Sequence, residues 1–183
     1  MVNHPSNALT IRPAARSDAD ALLTLIDALA AYEQLDPPDA QAKARLVHDG
    51  FERTPARFEV FLAFDGENAQ DASPLGYAIV FETYSSFLAR PTLYIEDLFI
   101  LPDARRKGVG SVLFSHLAAE ALRRGCGRLE WVCLEWNTLA IGFYEKRGAV
   151  HLDDWRGYRL TASQLETLPL SPRVITSSGT PNG

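Results

Sequence analysis

The 183-residue sequence contains only two cysteines and four histidines, and it has no long uninterrupted hydrophobic run. Cys126 and Cys133 are too few for a disulfide framework and do not have CxxC spacing. The histidines show no ligand spacing, so we predict no metal site. No stretch approaches the ~18 apolar residues of a membrane helix, and the first residues do not resemble a signal peptide. We therefore expect a cytoplasmic protein with reduced thiols and no membrane partner.

Positive charge is also scarce, because the sequence has 18 Lys and Arg residues and 23 Asp and Glu residues, which gives a net charge of -5. Such a chain lacks the broad basic surface that binds nucleic acids, so we expect no nucleic-acid partner. The hydrophobic share of 46% is that of a soluble globular protein, which excludes wholesale disorder and a fibrous repeat. The length predicts a single domain over residues 1–170. Residues 171–183, rich in Ser, Thr, Pro and Gly, are predicted to be a disordered tail.

Hydrophobic periodicity and turn residues predict the element order βααβββαβαββ. The predicted strands are residues 8–12, 58–64, 75–83, 92–101, 129–134, 149–152 and 157–160. The predicted helices are residues 17–33, 38–48, 108–124 and 137–147, with a short further helix after Thr161. This order indicates a mixed α/β or α+β fold with one central sheet.

The turn between the third long strand and the following helix is the most informative segment. Arg105-Arg106-Lys107-Gly108-Val109-Gly110 joins two glycines to three positive charges at a helix N-terminus. Backbone N–H groups there can approach an anion, and the helix dipole adds roughly half a positive charge. A Walker A loop is absent, and Leu113 stands where a Rossmann fingerprint needs its third glycine. The spacing alone leaves a phosphate site and an ordinary basic turn equally open.

This turn resembles the acyl-CoA loop of the GNAT superfamily of N-acetyltransferases. Further segments follow in the expected order: IRPA (11–14), LAAYE (29–33), LYIEDLFILP (93–102), RGCG (124–127), EWN (135–137) and FYEKRGA (143–149). Together they resemble the diamine branch, which comprises the spermidine/spermine and thialysine N-acetyltransferases. The resemblance implies the GNAT fold, in which helices flank a mostly antiparallel sheet that is splayed at the cofactor strand.

The resemblance also implies where acetyl-CoA, the co-substrate, is held. Leu98, Phe99 and Ile100 would offer backbone groups to the pantetheine and the thioester, including an N–H that polarises the acetyl carbonyl. The pyrophosphate would bind Arg105, Arg106, Lys107, Gly108, Val109, Gly110 and Ser111. Asn137 would cap the next helix and contact the cofactor with Thr138 and Ala140, although a plain N-cap explains Asn137 equally well.

Tyr144 matches the general acid of the family. It lies seven residues after Asn137, so two helical turns bring both residues to one side. The leaving CoA thiol titrates near ~8.5 and tyrosine near ~10, so a phenol stays protonated at pH 7 and can protonate the thiolate. Without the resemblance, packing beside Phe143 would be the preferred interpretation of this side chain.

Acidic residues are expected to recognise the amine, which arrives charged because its pKa is near ~10.4. Glu96 and Asp97 match the family's acidic pair on the central strand. In a regular strand they face opposite sides, so only one lines the pocket unless a β-bulge re-aims the chain. The resemblance implies a bulge nearby, and we predict Glu96 as the catalytic carboxylate and Asp97 as a substrate contact.

Three regions bear on the identity of the amine. Tyr32 and Glu33 match a position that contacts polyamines in the family, but the following residues 34–38 carry fewer carboxylates than expected. Arg156 stands where an acid is expected and Tyr158 where Trp is common. A positive Arg156 near the pocket would oppose a second ammonium and suit an amino-acid carboxylate.

The sequence therefore predicts an N-acetyltransferase that transfers acetyl from acetyl-CoA to a primary amine by direct attack in a ternary complex. The acceptor is a small di- or polyamine or a diamine-like amino acid. Acetylation of a protein lysine or an antibiotic, and a CoA-binding module without turnover, remain alternatives. The resemblance also implies a homodimer.

Overall fold

The computed structural model describes residues 8–66 and 72–169. The chain divides into two compact units, Met1–Leu134 and Glu135–Gly183. The single domain expected over residues 1–170 stays a prediction, and the tail expected over residues 171–183 lies outside the described residues. No described helix is long and apolar enough to cross a bilayer.

The described residues of the first unit form five strands and three α-helices. Its strands are β1 (Leu9–Pro13), β2 (Glu59–Asp65), β3 (Gly76–Ser85), β4 (Arg90–Ile100) and β5 (Arg128–Trp131). Its helices are α1 (Ala19–Glu33), α2 (Ala40–Val47) and α3 (Val109–Arg123). The strands form one sheet in sequence order, antiparallel from β1 to β4, with β5 parallel to β4 after the crossover through α3. The predicted mixed fold with a mostly antiparallel central sheet is confirmed.

Each face of the sheet carries its own apolar core because side chains alternate along the strands. Phe61, Ala78 and Val80 pack with Leu113 and Leu117 of α3 on one face. The opposite face packs against α1, and its buried members include Leu22, Leu25, Ile26, Leu62, Phe64, Tyr77 and Phe99. Helix α3 buries Val109, Leu113, Leu117 and Ala121 at helical spacing, which is an amphipathic pattern.

A β-bulge interrupts β4 at Glu96. Asp97 pairs with Ile79 and Ile95 pairs with Val80, so Glu96 is an extra residue without a partner on β3. The bulge reverses the alternation of the strand: Leu93 and Ile95 face the α3 core before it, and Leu98 and Ile100 face that core after it. One inserted residue therefore changes which side chains reach each face.

Strand β5 is shorter than the sequence predicts. It ends at Trp131, opposite Ile95, whereas the prediction extended it to Leu134. The pairing between β4 and β5 thus ends directly before the bulge, a feature that bends its strand and increases the local twist. The backbone of Leu98, Phe99 and Ile100 is consequently not paired with β5, as expected for the splayed cofactor strand.

The second unit contains α4 (Thr138–Glu145) and α5 (Ala162–Glu166). The prediction of strands over residues 149–152 and 157–160 is wrong, because the structure has no strand in this segment. A strand persists only where a ladder partner satisfies its backbone groups, and residues 150–160 are exposed. The helix after Thr161 is confirmed, and Gly148 follows α4 with a φ of +81°.

Candidate active site

A cavity of about 420 Å³ lies on the α1 side of the sheet in the first unit. Its volume falls within the range of about 300–1,000 Å³ that small-molecule sites occupy. The apolar part of its lining comes from Ile26, Leu46, Phe58, Ile79 and Phe81, and the charged part from Arg57, Glu96 and Asp97. A mostly apolar cavity with a few charged groups is suited to a small ligand that has an alkyl chain and charged ends.

The bulge in β4 brings both carboxylates to this cavity. Glu96 and Asp97 are adjacent and would face opposite sides of a regular strand, yet both line the same space. Within the described part of the first unit, neither carboxylate forms an ion pair with a basic side chain. The two uncompensated negative charges make this end of the cavity attractive to a cation.

Asp97 is a cavity carboxylate with a strongly raised pKa. Burial raises its pKa, the nearby charges of Glu96 and Glu33 raise it further, and a hydrogen bond from Tyr77 opposes them, leaving the pKa at about 6. The hydroxyl of Tyr77 donates this bond to Oδ2 of Asp97 over 3.1 Å. A carboxyl that titrates near neutrality is suited to accept a proton during catalysis. Glu96, by contrast, is exposed.

The end of α1 adds a third carboxylate to the surroundings of Asp97. Burial raises the pKa of Glu33, and the charge of Glu33 raises the pKa values of Asp97 and Tyr77. The preceding Tyr32 packs against Phe99 of β4, with their ring centroids 6.2 Å apart. The structure thus brings together Tyr32, Glu33 and Asp97, which are predicted from the sequence to contact the substrate.

The side chain of Arg105 connects the basic turn to the end of β4. Its guanidinium lies over the ring of Tyr32 at 4.3 Å and over the ring of Phe99 at 5.6 Å. Its Nε donates a hydrogen bond of 2.9 Å to the carbonyl oxygen of Ile100. These contacts give Arg105 a structural role that the sequence did not indicate, and its contact with a phosphate stays a prediction.

The rest of the turn combines positive charge with the N-terminus of α3. Arg106 and Gly108 have φ values of +61° and +85°, which fold the chain back before α3 begins at Val109. The N-cap is a glycine and therefore has no side chain to accept the first N–H groups of α3. Arg106 and Lys107 are exposed. The helix N-terminus and these cations together offer hydrogen-bond donors and positive charge to a phosphate.

In the second unit, the predicted cap is confirmed. Oδ1 of Asn137 accepts a hydrogen bond of 3.2 Å from the N–H of Ala140. Tyr144 follows two turns later and packs edge-on against Phe143, with ring centroids 5.3 Å apart. Arg156 and Tyr158 lie in the irregular exposed segment that follows α4. Their contacts with acetyl-CoA or substrate stay predictions.

Two residues of the cavity region were not identified from the sequence. Tyr77 belongs to an apolar strand, and only its hydrogen bond to Asp97 on the neighbouring strand shows its role. Arg57 lies in the loop before β2, where nothing in the sequence distinguishes it from its neighbour Arg53. Among the described residues, no three His, Cys, Asp or Glu side chains are grouped so that they could hold a metal ion.

Comparisons with known proteins show which proteins this chain is similar to. The model of the acetyltransferase (GNAT) family matches residues 23–149. The chain is 33% identical to the thialysine N-epsilon-acetyltransferase of Bos taurus over 81% of this chain and 88% of that protein. It is 40% identical to the L-ornithine N5-acetyltransferase NATA1 of Arabidopsis thaliana over 56% of this chain, a match that spans 45% of that relative.

Among solved structures, an integron cassette protein from the mobile metagenome of V. cholerae superimposes with a TM-score of 0.73. The two chains are 26% identical, and the match covers 87% of this chain and 96% of the other.

Proposed function

This chain belongs to the GNAT acetyltransferase family and is an N-acetyltransferase, and from that premise we propose that it acetylates the side-chain amine of a small diamine-like molecule with acetyl-CoA as donor. The bulge at Glu96 is the main observation behind the proposal, because it directs two carboxylates that form no described ion pair into one cavity of small-molecule size. A positively charged amine is the ligand that such a site selects.

The carboxylates have two tasks in this reaction. They attract the ammonium, which must lose a proton before its nitrogen can attack the thioester. The ammonium loses one proton to solvent, and the neutral amine attacks the thioester, so that its nitrogen becomes positively charged as the C–N bond forms. One of its remaining protons is then much more acidic, and Asp97, whose pKa is about 6 and which is ionised at pH 7, accepts that proton directly or through a water molecule. Asp97 therefore replaces Glu96 as our first candidate for the base, with Glu96 as its electrostatic partner.

Backbone groups and the basic turn are proposed to hold acetyl-CoA. The unpaired edge of β4 at Leu98–Ile100 offers N–H and C=O groups to the amides of the pantetheine. One N–H there would stabilise the oxyanion that forms at the acetyl carbonyl. The turn from Arg105 to Ser111, with the first N–H groups of α3, would bind the pyrophosphate.

The second unit is proposed to supply the acid. Tyr144 would protonate the departing CoA thiolate, so that the amine displaces it directly in a ternary complex. Asn137, Thr138 and Ala140 would contact the cofactor near the start of α4. The homodimer and the cytoplasmic location implied above stay predictions.

The acceptor is proposed to be an amino acid with a side-chain amine or a related diamine. The relatives described above are named for thialysine and ornithine, which both combine such an amine with a carboxylate. Binding of a long polyamine is favoured by several acidic residues spaced along the site, and residues 34–38 supply few of them. Arg156 and Tyr158 are proposed as further substrate contacts.

A thiol-release assay tests the proposal. Purified protein is mixed with acetyl-CoA and, in turn, with ornithine, thialysine, lysine, putrescine, spermidine, spermine and an aminoglycoside. We expect turnover with at least one of the first four and a loss of about 10²-fold or more in kcat/KM for Asp97→Asn. Asp65→Asn, which removes an exposed carboxylate at the end of β2, is the matched control. Binding of acetyl-CoA without thiol release for any amine would instead favour a non-catalytic CoA-binding module.

A further inference from the structure

The cavity that contains the acid pair also has a basic side chain at its wall. Arg57 is the only Lys, Arg or His that lines the cavity within the described residues, and Glu96 and Asp97 supply its negative charge. Apolar side chains from α1, α2 and β3, together with Phe58 just before β2, form the rest of the lining. The cavity therefore contains both signs of charge and an apolar wall.

Arg57 is held in place by Asp49 rather than by the acid pair. Its backbone N–H donates a hydrogen bond of 2.9 Å to the carbonyl oxygen of Asp49. Its Nε lies 3.2 Å from Oδ1 of the same residue. A guanidinium has five N–H donors, so a contact through Nε leaves capacity for a second carboxylate. Asp49 thus orients Arg57 without using all of its hydrogen-bonding capacity.

We propose that Arg57 binds the carboxylate of an amino-acid acceptor whose side-chain amine lies at Glu96 and Asp97. This inference rests on the proposed function and makes its substrate class more specific. The apolar walls suit the methylene chain that separates the two charged groups of such a molecule. A diamine in the same orientation would place its second ammonium beside the guanidinium, where like charges repel.

Arg57 is thereby a specificity-determining residue. It lies on the first unit together with the acid pair, whereas Arg156, the carboxylate contact that the sequence favours, belongs to the second unit. An arginine can bind a carboxylate with two parallel hydrogen bonds, and a lysine cannot reproduce that geometry. The arginine should therefore discriminate an amino acid from its decarboxylated counterpart more strongly than a lysine would.

Matched substrates isolate the carboxylate. Ornithine and putrescine differ only by that group, as do lysine and cadaverine, so the ratio of their kcat/KM values measures its recognition. The variants are Arg57→Gln, Arg57→Lys and Arg156→Gln. Arg53→Gln is the matched control, because Arg53 is exposed on the same loop and does not line the cavity.

We expect the wild-type protein to favour ornithine over putrescine and Arg57→Gln to reduce that preference roughly tenfold or more. The loss should appear in KM for ornithine rather than in kcat. Arg57→Lys should recover part of the preference, and Arg53→Gln should retain all of it.

Two results would overturn the inference while leaving the proposed function intact. One is an unchanged ornithine preference in Arg57→Gln, above all if Arg156→Gln abolishes it. The other is a wild-type protein that prefers putrescine. Absence of thiol release with every amine would overturn the proposed function itself, and the role of Arg57 with it.

Discussion

Tyr77 donates a hydrogen bond to Asp97 from a fully buried position, with the hydroxyl oxygen 3.1 Å from Oδ2. Burial and the charge of Asp97 raise the pKa of the phenol far above its usual value, so Tyr77 stays a donor at every working pH. Burial raises the pKa of Asp97, and this hydrogen bond lowers it. The pair therefore sets the pH at which the proposed base becomes available.

The pH dependence of activity should reveal Asp97 directly. Because its pKa is about 6 and the carboxylate is the active form, kcat/KM should rise between pH 5 and pH 7. Ionisation of the amine adds a separate rise toward pH 10. Initial rates of thiol release across this range provide the measurement. The Asp97→Asn variant should not show the rise of kcat/KM near pH 6. If the rise persists in that variant, Asp97 is excluded as the base.

Tyr77→Phe should move the rise of kcat/KM near pH 6 to higher pH. The hydrogen bond from Tyr77 favours the charged form of Asp97, so its removal leaves burial unopposed and raises the pKa of the carboxyl. Phenylalanine fills nearly the same space, and the lost bond should cost about 1 kcal/mol of stability. The kinetic pH profile is the readout. A rise that stays in place would show that the bond does not tune Asp97.

Asp97→Asn should stabilise the protein at high pH while it lowers activity. Because the folded-state pKa of Asp97 lies above its ordinary value of 3.8, the unfolded state loses this proton first as pH rises. Stability therefore falls between about pH 4 and pH 6 and stays lower above that range. The full cost is about 3 kcal/mol.

Urea unfolding of both proteins at pH 4 and pH 8 tests this expectation. The variant should gain stability over the wild type at pH 8, and most of that gain should vanish at pH 4. An equal difference at both pH values would mean that burial does not raise the pKa of Asp97.

Tyr144→Phe should separate catalysis from binding. If Tyr144 protonates the departing thiolate, the variant loses about 10²-fold or more in kcat, and its affinity for acetyl-CoA changes little. Steady-state kinetics and calorimetric titration with acetyl-CoA measure the two quantities on the same preparation. Unchanged turnover would remove Tyr144 from the proposed role.

Gly110→Asp should weaken the binding of acetyl-CoA about tenfold or more. The substitution places a negative charge in the first turn of α3, where the pyrophosphate is proposed to bind. An acidic residue at a helix N-terminus interacts favourably with the helix dipole, so the charge itself should not weaken α3. Gly110→Ala controls for size without charge. Normal affinity in the aspartate variant would contradict the assignment of the turn.

Much of the fold could be predicted because local signals agree with the final structure. The polar stretch between two β-branched runs predicted the β2–β3 hairpin, and Asn137 predicted the start of α4. The bulge at Glu96 was implied by the resemblance alone, since register is set by pairing with β3, which no local pattern of β4 encodes. The prediction of strands was wrong for residues 149–152 and 157–160, where apolar residues alternate but no neighbouring strand pairs with the backbone.

The cavity illustrates a second limit. Its charged residues come from β4 and from the loop before β2, so only the folded chain brings Arg57 to the same space as Asp97. Sequence spacing identifies motifs whose members are close in the chain, such as the basic turn before α3. Pairs that meet across the sheet leave no such signal.

The extra residue in β4 also constrains how the coding sequence can change. If the codon for Glu96 were deleted, the strand would keep only one half of its side chains on the α3 core, and either Leu93 and Ile95 or Leu98 and Ile100 would turn toward the opposite face. Such a deletion would disrupt the core in addition to the site. A point substitution at position 96 therefore leaves the register of β4 unchanged, whereas a deletion there would turn one pair of core side chains away from α3.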